Sequence, residues 1–221
     1  MSNERYIPAL RFNWLTPIYD PVVQMTTREN VFKTALVNQI EVKEGQSILD
    51  LACGTGTLTI LLKQAASESE VTGLDGDRKI LEMAKNKAHL EGLHINFERG
   101  FSQQMSYSDE SFDHVVSSLF FHHLIQESKL ETFREVWRVL KPHGEFHIAD
   151  WGHPRNQLMK IGSFFIKVLD GFEMTSDNFN GNLPELIKKA GFEKVEETKY
   201  FNTLFGTIRL YKSLKKSSFK F

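Results

Sequence analysis

The stretch Asp50-Leu-Ala-Cys-Gly-Thr-Gly56 constrains this chain more than any other. It follows a short β-rich run, Ser47 to Asp50. It precedes a helical segment, Thr57 to Ala66, whose apolar positions are Leu58, Leu61, Leu62 and Ala65. Gly54 and Gly56 permit a tight turn and let a ligand approach the backbone closely. Asp75 stands 19 residues beyond Gly56, at the end of a second strand, Glu70 to Leu74. A carboxylate there can accept hydrogen bonds from both hydroxyls of a ribose. A strand-helix turn with an incidental acid explains less of this pattern than a nucleoside ligand does.

The segments that follow keep the same alternation. Asp77 is placed to cap a helix with the stripe Ile80, Leu81, Ala84 and Ala88, and Gly92 to end it. Ile95 to Phe97 and Phe112 to Ser117 read as the third and fourth strands. Leu130, Phe133, Val136, Trp137 and Leu140 mark a helix that Lys141-Pro-His-Gly144 turns into a fifth strand, Glu145 to Ala149. Repeated β-α-β spacing predicts an α/β fold, a mostly parallel sheet with helices on both faces. Beyond Asp150 the pattern changes. An extra helix, Asn156 to Leu169, leads into a polar loop as far as Asn180-Gly181. A helix at Leu183 to Ala190, a strand at Glu193 to Phe201 and an antiparallel return at Phe205 to Tyr211 complete the chain.

Charge selects the nucleoside ligand. A dinucleotide would set its pyrophosphate against the turn and the helix N-terminus. Here Thr59 replaces the third glycine of that fingerprint, and Asp50 would repel the anion. No Gly-Lys-Ser/Thr is present to hold a triphosphate. A ligand with an ammonium and a sulfonium is attracted instead, which describes S-adenosylmethionine. Lys+Arg number 27 and Asp+Glu 28, a balance unlike that of a nucleic-acid-coating protein. Cys53, the one cysteine, excludes an intrachain disulfide and a Cys-rich zinc site. No apolar run reaches the roughly 18 residues of a membrane span, so a soluble, cytoplasmic protein of one domain is expected.

Ile48 to Gly56 resembles the first motif of class I S-adenosylmethionine-dependent methyltransferases, and Gly73-Leu-Asp75 the second. Ser111 to Val116 and Trp137 to Gly144 are similar to the motifs around the fourth and fifth strands. Tyr19-Asp20 near the N-terminus is similar to a Tyr-Asp of the ubiquinone/menaquinone-biosynthesis C-methyltransferase type. The resemblance implies a Rossmann-like, doubly wound sheet of seven strands with an antiparallel C-terminal strand. It implies one methyltransferase domain over 1–221: an N-terminal helical lid (1–41), a cofactor core (42–150), an acceptor-side insertion (151–182) and a C-terminal helix with strands (183–221). By the same resemblance Asp50, Gly54 and Gly56 contact the methionine end of the cofactor and Asp75 its ribose, Asp77 and Ile80 pack around its adenosine, and Ala52 and Gly76 belong to the same cofactor site. Tyr19, Ser117 and Phe120 fall on the cofactor pocket. Relatives carry an Asp for the adenine amino group where this chain has Phe101-Ser102, so Ser102, backbone groups or apolar packing must replace it.

In an open α/β sheet the reaction takes place at the carboxyl ends of the strands. Just beyond the fourth strand, His122 and His123 are candidates for a base, because an unperturbed imidazole titrates near pH 6.5. His123 is the first choice, with one of the pair a surface residue. Asp150, at the end of the fifth strand, either orients the acceptor, acts as base or caps the next loop. With no carboxylates converging on Asp150, no metal is expected. Cys53 and the remaining histidines, His114 and His147 among them, read as packing or solvated residues.

The acceptor is expected to be a small, partly apolar molecule: a quinone precursor, phenol, amine or lipid headgroup. A non-catalytic S-adenosylmethionine-binding sensor or partner subunit and a nicotinamide-dependent reductase are the alternatives. The stretch Phe205 to Phe221 contains five cations and no acid; it reads as a solvated strand end and frayed tail, with weak peripheral contact with a membrane as the alternative. Leu158, Ile161, Phe164, Phe165, Val168 and Leu169 form a stripe expected to pack near Arg11 to Pro21 and wall the acceptor pocket. Nothing in the residues specifies the oligomeric state.

Overall fold

The computed structural model describes residues 29–203 and 205–216. Tyr19-Asp20 and Arg11 to Pro21 lie outside them, as do the last five residues. Seven strands form one sheet: β1 (Ser47–Leu51), β2 (Glu70–Asp75), β3 (Asn96–Arg99), β4 (Phe112–Ser118), β5 (Leu140–Gly152), β6 (Phe192–Thr203) and β7 (Gly206–Lys215). Their order is β3-β2-β1-β4-β5-β7-β6. β7 runs antiparallel to both its neighbours, and the other pairings are parallel. Chain order reverses between β1 and β4, and that switch point opens a crevice beyond the strand ends.

Side-chain alternation along the strands separates two cores. On one face Ile48, Val71, Val116, Ala149, Ile208 and Leu210 pack against α1 (Glu29–Asn38) and α2 (Thr57–Ala65). On the other, Leu49, Val115, Phe146 and Ile148 meet α4 (Gln126–Val139) and α7 (Leu183–Lys189). α3 (Arg78–Leu90) buries Leu81, Ala84 and Ala88 against Ile60 and Phe97. Its start follows from Asp77, whose Oδ1 accepts from the N–H groups of Lys79 and Ile80. Lys141 to Gly144 do not interrupt β5, which begins where α4 ends. His143, at φ 62°, instead produces an irregularity that shifts the β4–β5 register between Phe112 and His114.

The insertion departs from expectation. After α5 (Gln157–Asp170), the predicted polar loop is a helix, α6 (Phe172–Asn180). Its polar residues have partners that lie far away in sequence. Asp177 accepts from Lys129 and Gln126 of α4, Asn178 donates to the Trp151 carbonyl, and Phe179 stacks beside the Trp151 ring. α6 packs on the turn after β4. Ile161 and Phe164 of α5 are exposed.

The basic tail is also largely committed within the fold. Arg209 pairs with Glu197, Lys212 with Glu145 and Lys216 with Glu193, while Lys215 donates to the Leu140 carbonyl. Among the described residues no helix is long and apolar enough to cross a membrane.

Candidate active site

The glycine turn joins β1 to α2 at the switch point. Gly54 (φ 55°) and Gly56 (φ 77°) are left-handed, and so is Ala52 (φ 57°). A Cβ on Gly56 would meet the Ala84 Cβ at 2.9 Å, so α3 and the turn approach through its missing side chain. A Cβ on Gly54 would meet no described residue within 4 Å, so the described residues leave space above the turn. Asp75 braces the turn from β2. Its Oδ2 accepts from Gly54 N–H and its Oδ1 from Asp77 N–H, both at 2.9 Å, and burial raises its pKa. Each oxygen keeps a lone pair for a further donor. Gly76 and Ile80 stand half-buried beside it, and Cys53 is buried beneath the turn with its thiol pKa pushed up by burial.

Asp50 is 1% exposed, and burial pushes its carboxyl up to about 7 against the hydrogen bond from Thr59 Oγ1 (2.6 Å) and the nearby Lys33. The sequence reading missed Lys33. Like Glu29, with which it forms an ion pair, it is buried on α1, and helical spacing alone does not reveal that α1 reaches Asp50. A buried carboxylate below an open turn suits a cationic ligand group, and the Asp75 lone pairs suit hydroxyls. The residues present therefore fit S-adenosylmethionine.

Two expected contacts are turned inward. The Ser102 hydroxyl is 3.0 Å from Thr132 Oγ1 of α4, and Ser117 Oγ donates to the Leu51 carbonyl at 2.9 Å. Ser117 is fully buried, so it ties β4 to β1 instead of lining the crevice. Phe101 is half-buried at the end of β3.

Beyond β4, Leu119 (φ 54°) turns the chain into Phe120 and the 3-10 turn Phe121–His123. Asp150 organises this turn completely. Its Oδ2 accepts from the N–H groups of Phe120 (3.2 Å) and Phe121 (2.7 Å), and its Oδ1 from Trp151 N–H (2.7 Å). His122 Nδ1 lies 2.7 Å from the same Oδ1. A carboxylate with these four partners orients its neighbours and is not itself placed to take a proton. Neither histidine is at the surface, against expectation: His122 is 3% exposed and His123 half-buried. Their rings lie 3.9 Å apart, and burial together with His122 holds His123 well below the usual imidazole pKa.

Comparison with known proteins agrees with this geometry. The family model described as "Methyltransferase domain" matches residues 48–144. A demethylmenaquinone methyltransferase of Lactobacillus johnsonii is 32% identical over 221 residues, covering 90% of this chain and 89% of that one. A ubiquinone/menaquinone biosynthesis C-methyltransferase of Bdellovibrio bacteriovorus is 28% identical, covering 85% and 86%. Among solved structures, the YcgJ protein of Bacillus subtilis has a TM-score of 0.71 at 14% identity, covering 85% of this chain and 99% of that one. Phosphoethanolamine N-methyltransferase 2 of Haemonchus contortus, solved with S-adenosyl-L-methionine, has a TM-score of 0.67 at 16% identity, covering 84% and 52%. The class is thereby defined: an S-adenosylmethionine-dependent methyltransferase with a Rossmann-like fold. The chain belongs to the family that includes the demethylmenaquinone and ubiquinone/menaquinone-biosynthesis methyltransferases.

Proposed function

We propose that this enzyme methylates a ring carbon of a reduced quinone precursor, with His122 as the base that activates the acceptor. The observation that carries the reading is the Asp150 carboxylate. It holds the Phe120–His123 turn at the ends of β4 and β5 and engages His122 through Nδ1. With the Nδ1 proton on the Asp150 side, Nε2 is the nitrogen that would receive a proton from the acceptor. A dihydroxyaromatic acceptor gives its phenolic proton to Nε2, the resulting phenolate makes the neighbouring ring carbon nucleophilic, and once methylated that carbon loses its own proton to solvent as the ring regains aromaticity. The relatives named for demethylmenaquinone and ubiquinone/menaquinone support this acceptor class. With His122 almost fully buried, α6 and the turn beneath it must part to admit the ring.

S-Adenosylmethionine, when bound, supplies an electrophilic methyl group that needs alignment more than further activation. Asp50 compensates a cationic group of the methionine end, and Asp75 accepts the ribose hydroxyls. Gly54 leaves room for close approach, and Ile80 with the Phe101 segment flanks the adenine. The inward-turned Ser102 hydroxyl leaves adenine recognition to backbone groups and packing. His123, next to His122, shapes the acceptor side without serving as base.

Turnover with labelled cofactor tests the reading. Reduced demethylmenaquinone is expected to gain one carbon-bound methyl, while the oxidised quinone, simple amines and phospholipid headgroups are inert. His122→Asn is expected to lower kcat by about 10²–10⁴-fold while S-adenosylmethionine affinity is kept, and His123→Asn to lower it much less. Transfer to an amine in place of the quinol, or full activity in His122→Asn, overturns the assignment.

A further inference from the structure

Away from the crevice, β4 and β5 bring together three side chains that the methyl-transfer site does not use. His114 and Glu145 are register partners across the two strands, and His147 lies two residues further along β5 on the same face. His114 stands four residues before Ser118, roughly 13 Å along the strand from the crevice end. Glu145 Oε2 lies 3.7 Å from His114 Nδ1 and 3.2 Å from His147 Nε2, and the three donor atoms are all within 4.8 Å of one another. The two histidines are 5% and 0% exposed, and Glu145 opens partly to solvent.

The hydrogen bonds around His114 leave a defect at the centre of the cluster. Gln46 Oε1 accepts from Lys43 N–H at 2.6 Å, which fixes it as an acceptor. His114 Nε2, 3.2 Å from that oxygen, therefore carries the ring proton. Its Nδ1 then presents a bare lone pair to the Glu145 carboxylate, and among the described residues this buried nitrogen has no hydrogen-bond partner. Two acceptors facing each other at this range repel unless a donor or a cation lies between them. Lys212 does not fill the gap, because it holds the other carboxylate oxygen, Oε1, at 2.7 Å.

We propose that His114, Glu145 and His147 form a binding site for a transition-metal dication, zinc in the first instance, that braces the sheet and takes no part in methyl transfer. Two imidazoles and one carboxylate oxygen are a zinc-type donor set, whereas magnesium and calcium prefer oxygen alone. Bonds of about 2.0–2.1 Å in a tetrahedron separate neighbouring donors by about 3.3–3.4 Å. The 3.2 and 3.7 Å separations bracket that value. The fourth position faces the partly open Glu145 side and takes water.

The surrounding shell can adapt to the metal. Gln46 already orients His114 as an outer partner does in metal sites. Gln39 Nε2 donates to His147 Nδ1 (2.9 Å) and to the Tyr211 carbonyl (3.2 Å). Metal at His147 Nε2 moves the ring proton to Nδ1, so the Gln39 amide turns over to accept it. Thr198 Oγ1, now bonded to Gln39 Oε1, then accepts from Nε2 and gives its own proton to the Leu210 carbonyl, 3.3 Å away. The turned amide sets Gln39 Oε1 against the Tyr211 carbonyl, so Gln39 must shift away from that oxygen as the metal binds. The ion would thus link β4 and β5 directly, and β6 and the segment between α1 and β1 through the outer shell.

The test uses the full chain, stripped of metal and titrated with Zn²⁺ against a chromophoric chelator, with thermal unfolding followed in parallel. One ion per chain and a raised unfolding temperature are expected. His114→Gln and Glu145→Gln should each abolish the site while binding S-adenosylmethionine like the parent, a control that the fold is intact. Gln46→Ala should weaken Zn²⁺ binding by about 10- to 100-fold. In the unaltered protein, Co²⁺ should shift the ring protons of two of the eight histidines, which needs no variant to fold. No saturable binding, or stoichiometric binding that survives His114→Gln, or Co²⁺ shifts at other histidines, overturns the proposal.

Discussion

Asp50→Asn separates the cost of a buried charge from its use. The carboxyl titrates near 3.8 in the unfolded chain and at about 7 in the fold, chiefly because burial strips its water. Between those values the unfolded state binds fewer protons than the native state. Stability therefore falls as pH rises from about 4 to about 7 and levels off above. One pKa unit is worth about 1.4 kcal/mol, so ionised Asp50 costs the cofactor-free fold up to about 4 kcal/mol at pH 8. The amide has nearly the same shape and still accepts the Thr59 hydroxyl. Denaturant unfolding is expected to find parent and variant equally stable near pH 4, and the variant more stable by about 2–4 kcal/mol at pH 8.

Cofactor binding should respond in the opposite direction. A cationic ligand group stabilises the Asp50 carboxylate, so calorimetry below pH 7 should record proton release on S-adenosylmethionine binding to the parent, visible as a dependence on buffer ionisation heat. Asp50→Asn should lose that component and bind more weakly, by at least about 1.5 kcal/mol for a lost charge-assisted bond. A stability gap that stays constant from pH 4 to 8, or unchanged proton release, refutes the reasoning.

Asp75→Ala removes a brace for the turn as well as the proposed ribose contact, and titration calorimetry is expected to show S-adenosylmethionine affinity lower by about 1.5–3 kcal/mol. Gly56→Ala should destabilise more than Gly54→Ala in denaturant unfolding: both strain a left-handed residue, but only Gly56 would also drive a Cβ into Ala84. Lys129→Met leaves the buried Asp177 without its cation and is expected to cost about 3–5 kcal/mol, with the α6 amides losing hydrogen-exchange protection first. Adding Asp177→Asn to Lys129→Met should recover part of that stability.

Much of the core was legible from local chemistry. Positive-φ glycines, an Asp two residues before a helix's first free N–H groups and period-two strands are each specified within a few neighbouring residues. The turn at 50–56, the Asp77 cap and the strands around Asp75 accordingly appear where their spacing implies. Residues 172–180 read as a polar loop because their partners, Lys129, Gln126 and Trp151, are some 20 to 50 positions away, and only those contacts make a helix of them.

The same limit governs the catalytic side chains. From the chain alone His123 is the first choice of the pair, and the proposal of His122 as base rests on Asp150, which β5 brings to the end of β4. Ser102 looked available for a ligand until packing turned it to Thr132, and His114 looked ordinary until strand register set it against Glu145. Short-range spacing specifies backbone conformation, because φ, ψ and caps are local. The protonation, burial and partners of a side chain depend on which distant strand or helix arrives beside it, and only the tertiary structure decides that.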